Sequence, residues 1–312
     1  MILALAGGVG GAKLADGLAR VLAPDELAIA VNTGDDFDHL GLRICPDLDT
    51  VMYTLAGLAN PVTGWGLAGE SWHFMEALDT LGGAAWFRLG DRDLATHVER
   101  TRRLTAGESL SAVTRLLCER LGVRHPVIAM SDAPVPTRVR TKEGWLDFQH
   151  YFVREQCKPA IREIRYEGAE EARPSAALAA ALRDPALEGV VICPSNPYLS
   201  IAPIFALPGV RAAVAAAPSV VAVSPIVGGE AIKGPAAKIM RELGLEASAL
   251  GIARWYAGIA RTLVIDRVDA ALAPQIEALG MRAAVTDTVM RDGSDRARLA
   301  RECVALLRKE KR

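Results

Sequence analysis

Met1–Lys13, with the sequence MILALAGGVGGAK, decides how the rest of the chain is organised. Six apolar residues precede a run with four glycines, and apolar positions at helical spacing follow at Leu14, Leu18, Val21 and Leu22. This order predicts a buried strand, a tight turn and a helix N-terminus. Free backbone N–H groups and the helix dipole favour anions there, and glycine lets a phosphate come close because it has no Cβ. The stretch therefore predicts a phosphate site.

The glycine motif matches neither of the two common phosphate-binding fingerprints. Lys13 stands where the dinucleotide motif G-x-G-x-x-G has its third glycine. Leu14 stands where the Walker motif requires Ser or Thr after its lysine. The motif thus indicates a phosphate without saying which one, and a strand-to-helix turn that binds nothing stays open as an alternative.

Composition excludes several classes of protein. The chain has 312 residues, 51% of them hydrophobic, which is enough for a sizeable core, and its net charge of −1 argues against nucleic acid or an anionic membrane as a partner. The short basic clusters Arg100–Arg103 and Arg308–Arg312 are interpreted as solvated helix faces. Five scattered cysteines without a C-x-x-C pair argue against a zinc site or a disulfide framework. With no signal peptide or membrane span in the pattern, we expect a cytoplasmic protein.

Acidic residues follow the second predicted strand, Leu27–Val31. Asp35 and Asp36 come soon after it, and Asp47 and Asp49 open the next predicted helix. Ligands of open α/β sheets bind outside the carboxyl ends of the strands, so these acids should face the same crevice as the glycine loop. Carboxylates beside a phosphate favour Mg²⁺ as the ion between them. Stabilisation of the helix start by Asp47 or Asp49, with no metal, is the alternative.

Residues 63–123 are mostly helical by pattern and rich in tryptophan, and we interpret them as a helical insertion that covers the crevice. The aromatic cluster is either a stacking surface for a flat ring or ordinary core. Arg88 and Arg92 lie beside Asp91 and Asp93. These four residues form either an internal ion-pair turn or a pair of cations presented to a ligand.

Strand patterns alternate with helical ones along the rest of the chain. They recur at residues 127–130, 189–193, 220–223, 263–266 and 283–287. A hairpin is predicted at 137–148, with Gln149–Val153 expected to extend it. This alternation predicts a single α/β domain over residues 1–312, doubly wound and Rossmann-like, with a mainly parallel sheet.

Two more loops should reach the ligand edge of that sheet. Ser195, Asn196 and Ser200 follow the strand at 189–193 and offer hydroxyl and amide groups to phosphate or sugar oxygens, although a purely structural turn would use the same residues. A second glycine-rich loop, with Lys233 and Lys238 after it, follows the strand at 220–223. Both loops are candidates for nucleotide binding.

Six sequence blocks, in order along almost the whole chain, resemble the 2-phospho-L-lactate transferase family of coenzyme F420 biosynthesis. The blocks are GGVGGAK (7–13), NTGDD (32–36), PDLDTVMY (46–53), LGDRDLATH (89–97), PSNPYLSI (194–201) and SPIVGGEAIKGPAAKIM (224–240). The resemblance implies a transferase that moves a phospho-lactyl, phosphoenolpyruvyl or similar group from a guanosine diphospho donor to the terminal hydroxyl of the deazaflavin Fo, releasing GMP.

The resemblance also implies roles for individual residues. Asp36 and Asp49 are the expected catalytic residues, binding Mg²⁺ or orienting the attacking hydroxyl, and Asp49 and Arg88 are expected to bind Fo. Arg88 stands where several relatives have Lys, which keeps the cation but changes its geometry. The residues expected to bind the diphosphate and the guanosine nucleotide are Gly8, Gly10, Gly11, Lys13, Ser195, Asn196, Ser200 and Lys238.

Two other functions share part of the pattern. A regulatory protein that binds a nucleotide sugar would have the glycine loop and the paired acids, but the tryptophan-rich segment and the PDLDT motif favour the transferase. A nicotinamide dehydrogenase is supported by the first turn alone, and the missing third glycine weakens it. The sequence leaves open which three-carbon acid the donor carries and whether the protein is a homodimer.

Overall fold

The computed structural model describes residues 1–310, in which strands and helices alternate. The strands are β1 (Ile2–Ala6), β2 (Leu27–Val31), β3 (Phe37–His39), β4 (Leu42–Ile44), β5 (Val127–Ala129), β6 (Thr137–Arg140), β7 (Trp145–Asp147), β8 (Glu163–Tyr166), β9 (Gly189–Ile192), β10 (Val220–Val223), β11 (Ile226–Val227), β12 (Glu230–Ala231), β13 (Thr262–Asp266) and β14 (Arg282–Thr286). The α-helices are α1 (Gly8–Val21), α2 (Pro46–Leu55), α3 (His73–Thr80), α4 (Asp93–Thr105), α5 (Leu110–Arg120), α6 (Ala176–Arg183), α7 (Ala202–Ala206), α8 (Val210–Ala215), α9 (Ala236–Glu242), α10 (Ala249–Tyr256), α11 (Ala273–Glu277) and α12 (Gly293–Glu310).

Seven strands form one parallel sheet, in the order β14-β13-β10-β9-β1-β2-β5. Ile2 of β1 lies opposite Leu27 of β2 on one side and Gly189 of β9 on the other. From β1 the chain moves outward through β2 to β5, then returns to β9 and moves outward in the other direction. The loops after β1 and β9 therefore diverge and leave a crevice at the carboxyl ends of these strands. The predicted doubly wound, Rossmann-like fold is confirmed.

Both faces of the sheet are covered. Ile2, Ala4 and Ala6 of β1 point into a core shared with α1, α2, α5 and α12, whereas Leu3 and Leu5 point into a second core shared with α6 to α11. All five residues of β1 are buried. Burial on both faces explains why the parallel strands are unbroken apolar runs in the sequence.

The segment 63–123 contains α3, α4 and α5. Ile44, Met75 and Leu89 form a small separate core beneath α3, whereas α5 packs into the main sheet layer. The division into one domain with an insertion stays a prediction. Among the residues described, no helix combines the length and the apolarity needed to cross a membrane.

The hairpin predicted at 137–148 is present as β6 and β7, which β8 extends to three antiparallel strands. The strand was expected to continue through Gln149–Val153, and this is wrong. His150–Arg154 form a π-helical turn instead, which places Phe148 and Phe152 in stacked contact with ring centroids 5.4 Å apart.

Candidate active site

A cleft of about 670 Å³ lies at the carboxyl ends of β1 and β9, where the strand order reverses. It is lined by Gly7–Gly10 after β1, Pro194–Asn196 after β9, the start of α2 and the loop 232–236 before α9. Residues of the segment 63–123 form one of its walls. The structure thus brings together the glycine loop, the aspartates Asp47 and Asp49 at the start of α2, and the polar loop 194–200 after β9, as expected for a doubly wound sheet.

The glycine loop turns directly into α1, which begins at Gly8. Gly8 has a φ of +63°, a backbone conformation that favours glycine. Its amide donates to Asp47 Oδ1 at 2.6 Å, and the amide of Gly7 donates to Ser195 Oγ at 3.1 Å. The first amides of a helix have no partner within it, so those of Val9 and Gly10, which line the cleft, can donate to a ligand there.

The polar loop after β9 is locked to the glycine loop. Ser195 Oγ also donates to the Gly7 carbonyl at 2.9 Å, and the Ser200 hydroxyl binds Asp47. Asn196 Oδ1 accepts from the amides of Tyr198 and Leu199, at 3.0 and 3.2 Å, while its buried Nδ2 has no partner among the residues described. Ser195, Asn196 and Ser200 all line the cleft. The loop therefore forms a structural turn and also offers polar groups to a ligand.

Asp35 and Asp47 form a buried carboxyl pair around Asn32. The Asn32 amide donates to Asp35 Oδ1, and to Asp47 Oδ2 at 2.9 Å. Burial raises the pKa of both groups, that of Asp47 to about 6, and each hydrogen bond to Asp47 opposes the rise. Asp35 is raised further by the neighbouring Asp47 and Asp36 charges. The two carboxyl groups hydrogen-bond to each other, which favours a form in which they share one proton.

Asp36 lies behind the cleft and is 4% exposed. Neither carboxylate oxygen has a hydrogen bond of ordinary geometry within residues 1–310, although the Cys45 thiol approaches them. Burial raises the pKa of Asp36 to about 7, while Arg43 and Arg100 act in the opposite direction and Asp49 adds to the rise. A buried carboxylate without partners is costly unless a cation or a proton compensates it.

Asp49 lines the cleft and forms a bidentate ion pair with Arg100. Arg100 Nη1 lies 3.1 Å from Asp49 Oδ2, and Arg100 is 2% exposed. His97 Nδ1 lies 3.7 Å from the same oxygen, and His97 Nε2 lies 3.3 Å from Asp93 Oδ2. Asp93 in turn accepts from the Tyr53 hydroxyl at 2.6 Å. Asp49 is therefore one end of a buried polar network that runs through α4.

Two sequence interpretations change here. Cys45, not an aspartate, is the N-cap of α2, and Asp47 and Asp49 lie in its first turn with their carboxylates bound elsewhere. The interpretation of Arg100–Arg103 as a solvated face is wrong for Arg100. Arg102 and Arg103 are the members of that cluster that pair with Glu99 at the surface. In the other basic cluster, Arg308 pairs with Glu188, and residues 311–312 lie outside the described part of the chain.

Aromatic side chains form one wall of the cleft. Trp86 packs between the rings of His150 and His39, with centroid distances of 4.6 and 5.0 Å. Trp65 is 49% exposed and lines the same cleft. Arg88 lies over the Trp72 ring at 4.2 Å and also lines the cleft. The predicted ion pair between Arg88 and Asp91 does not form within residues 1–310, where Asp91 accepts from the Ser71 hydroxyl instead. This wall combines flat apolar surface with a cation.

Three lysines were expected near this edge, and they differ in their surroundings. Lys13 and Lys233 line the cleft, where Lys13 Nζ donates to the Met290 carbonyl at 2.9 Å. Lys238 is outside the lining, because its amine pairs with Glu242 and donates to the Tyr151 hydroxyl and the Pro159 carbonyl. Of the two lysines that follow the second glycine-rich loop, Lys233 is therefore the one that lines the cleft.

The structure brings most of the expected site residues to the cleft and leaves three outside its lining. The members that line the cleft are Gly8, Gly10, Lys13, Asp49, Arg88, Ser195, Asn196 and Ser200, whereas Gly11, Asp36 and Lys238 do not. Site residues that were not anticipated are Asp93, His97 and Arg100. Their spacing of four and then three residues on one helix was a usable signal, because it places all three on the same face.

Comparison with known proteins shows which family the chain resembles. The model of the family described as 2-phospho-L-lactate transferase CofD matches residues 2–304. The phosphoenolpyruvate transferase of Streptomyces coelicolor is 41% identical over 98% of this chain and 97% of its own. The 2-phospho-L-lactate transferase of Methanopyrus kandleri is 39% identical over 97% of this chain and 96% of its own.

A solved structure of a Bacillus halodurans protein superposes on 97% of this chain and 98% of its own, with a TM-score of 0.61. Its identity of 15% means that the likeness concerns the fold alone. The family expected from the six sequence blocks, and the transferase class with it, are confirmed by the family model and by both enzyme relatives. The chain belongs to the CofD family of 2-phospho-L-lactate transferases.

Proposed function

We propose that this protein transfers a phospho-lactyl, phosphoenolpyruvyl or similar group from a guanosine diphospho donor to the terminal hydroxyl of Fo, in coenzyme F420 biosynthesis. The observation that carries the proposal is a single cleft with three chemically different walls. Helix amides and lysines suit a diphosphate, buried carboxylates suit a hydroxyl or a metal ion, and an aromatic wall suits a flat ring.

The donor would lie along the glycine loop. Its diphosphate would accept from the amides at the start of α1, with Gly8 and Gly10 on the cleft and Lys13 beside them, whereas a role for Gly11, which lies outside the lining, stays a prediction. Ser195, Asn196 and Ser200 are then placed for the nucleotide, and the free Nδ2 of Asn196 supplies a donor. Lys238 as a nucleotide ligand stays a prediction, since its amine would first have to leave Glu242.

The acceptor would lie against the aromatic wall, with its deazaflavin ring near Trp86 and Arg88 and its ribityl hydroxyl toward Asp49. That hydroxyl would attack the phosphorus that carries the three-carbon acid. A P–O bond to the ribityl oxygen forms, the P–O bond to the GMP phosphate breaks, and the hydroxyl proton passes to a carboxylate or to water. Such reactions depend on positioning and on charge stabilisation.

We propose that Mg²⁺ supplies part of that charge stabilisation at the diphosphate, held by Asp36 and Asp49. Asp36 fits because its buried oxygens have no ordinary partner, and Asp49 fits because Arg100 uses only part of its lone-pair capacity. Within residues 1–310 no group of three or more acidic, His or Cys side chains is preassembled for a metal. Mg²⁺ needs only one or two carboxylates, completed by water and substrate phosphates.

Mg²⁺ should raise the thermal stability of the protein more at pH 8 than at pH 5.5. The pKa of Asp36 is raised to about 7 and that of Asp47 to about 6, so the folded state holds protons that the unfolded chain loses from about pH 4. Stability of the metal-free protein therefore falls as pH rises through this window. Mg²⁺ binds the ionised carboxylates and offsets that loss.

Thermal unfolding at both pH values, with and without Mg²⁺, measures this effect. In Asp36→Asn we expect a smaller decline in stability with pH and a smaller response to Mg²⁺. An equal Mg²⁺ response in the variant and the wild type would remove Asp36 from the metal site.

The function itself is tested by incubating the protein with Fo, Mg²⁺ and lactyl, enolpyruvyl or glyceryl donors linked to guanosine diphosphate. We expect release of GMP and formation of a phosphodiester on Fo, both resolved by liquid chromatography. Donors in competition would give the preferred three-carbon acid. If none of the three donors turned over, the transferase proposal would fail, and titration with a uridine sugar nucleotide would then test the regulatory alternative.

A further inference from the structure

Lys13 and Lys233 bring two positive charges to the same cleft from different parts of the chain. Lys13 is in the second turn of α1, and Lys233 is in the loop between β12 and α9. Their amines donate to backbone carbonyls, Lys13 to Met290 at 2.9 Å and Lys233 to Thr63 at 2.8 Å. Within residues 1–310 neither amine has a carboxylate within ion-pairing distance, whereas Lys238 on the next helix has Glu242.

The carboxylates that line the cleft have partners of their own. Asp47 accepts from Gly8 and Asn32, and Asp49 is paired with Arg100. Lys13 instead has positive charges nearby: burial lowers its pKa, and the charges of Arg296 and Lys233 lower it further. Among residues 1–310, Lys13 and Lys233 therefore have no counterion in the cleft.

The Lys233 amine is also held close to the side chain of Val9 in the glycine loop. Thr63, whose carbonyl binds it, precedes Gly64, and a Cβ on Gly64 would lie 2.7 Å from Val9 Cγ1 and 3.2 Å from Lys233 Nζ. The loop 60–66 is closed by hydrogen bonds from Gly64 N to Asn60 O at 2.9 Å and from Asn60 N to Gly66 O at 3.0 Å. An anion at the start of α1 would thus have Lys233 on its outer side and Lys13 further along the helix.

We infer that Lys13 and Lys233 together bind the diphosphate of the donor, with Lys233 closing over it from the side opposite the glycine-loop amides. This inference rests on the proposed function for the identity of the anion. A lysine amine is a compact point charge with three donors, so one bond to Thr63 leaves Lys233 two donors for phosphate oxygens. The two charges add to that of Mg²⁺ in neutralising the diphosphate.

Calorimetric titration of GDP, GMP and guanosine into the wild type, Lys13→Met and Lys233→Met tests the inference without turnover. We expect each variant to bind GDP about tenfold more weakly, with a smaller dependence on salt, and to bind guanosine like the wild type. GMP should show a smaller loss than GDP. Lys233→Arg should recover most of the GDP affinity because it keeps the charge.

Lys142→Met is the matched control, since Lys142 is exposed on the turn between β6 and β7, outside the cleft. It should bind all three ligands like the wild type, and thermal unfolding shows whether each variant is folded. Unchanged GDP affinity in Lys233→Met, or an equal loss for GDP and guanosine, would overturn the inference. Charge-dependent GDP binding without turnover on any donor would instead contradict the proposed function alone.

Discussion

Asp49→Asn should lower kcat by about 10²-fold or more and should also destabilise the protein by about 3–5 kcal/mol. The first effect follows from its place on the cleft, where a carboxylate would act on the attacking hydroxyl. The second follows from Arg100, which is 2% exposed and would lose the anion that its guanidinium binds on both arms. Steady-state GMP release and urea unfolding measure the two effects separately.

Combining Asp49→Asn with Arg100→Met separates catalysis from stability. Removing both charges takes away the uncompensated guanidinium, so most of the unfolding free energy should return, as it does when buried ion pairs are replaced by apolar residues of similar volume. The turnover defect should remain, because the carboxylate that we propose acts on the substrate is still absent. Recovery of kcat in the double variant would instead make Asp49 a structural partner of Arg100.

The sheet could be predicted from the sequence because parallel strands covered on both faces are unbroken apolar runs. Leu27–Val31 and Val220–Val223 have the bounds that the pattern gives, and the strand order then places their loops at one edge. The hairpin β6–β7 was predictable from its turn. Its continuation was predicted wrongly, because a five-residue stretch of polar and aromatic residues, as at 149–153, is ambiguous between a strand and a helical turn.

The arrangement of charges around the cleft was harder to predict. The run Arg100–Arg103 looks uniformly solvated by composition, and only the helical register with Asp93 and His97 shows that Arg100 faces inward. Lys233 and Lys238 both follow the second glycine-rich loop, and the sequence pattern treats them alike. In the structure, Glu242 stands four residues after Lys238 and pairs with it along α9. Glu230 stands three residues before Lys233, so the sequence alone did not separate the two lysines, and the structure shows that Glu230 pairs with Arg241.

Gly10→Ala should reduce donor affinity and turnover by about 10²-fold, in addition to a loss of about 1–3 kcal/mol in stability. Gly10 has helical backbone dihedrals, so its constraint is purely the space around it, and a Cβ would lie 2.3 Å from the backbone oxygen of Pro194. The new Cβ would meet the Pro194 backbone, which cannot move aside as a flexible side chain could. The loops after β1 and β9 must therefore separate. That separation displaces Ser195 and the amides of α1 from the donor.

Gly17→Ala is the matched control for this change, because Gly17 is on the same helix and its Cβ would lie 2.2 Å from the backbone oxygen of Arg296, on the side away from the cleft. It should cost similar stability by overpacking α1 against α12 and leave GDP affinity near that of the wild type. GDP titration and urea unfolding of both variants provide the comparison. If Gly10→Ala lost stability but kept its affinity for GDP, the glycine loop would serve only to pack α1 against β9. The phosphate would then have to lie elsewhere in the cleft, toward Lys233 and the loop before α9.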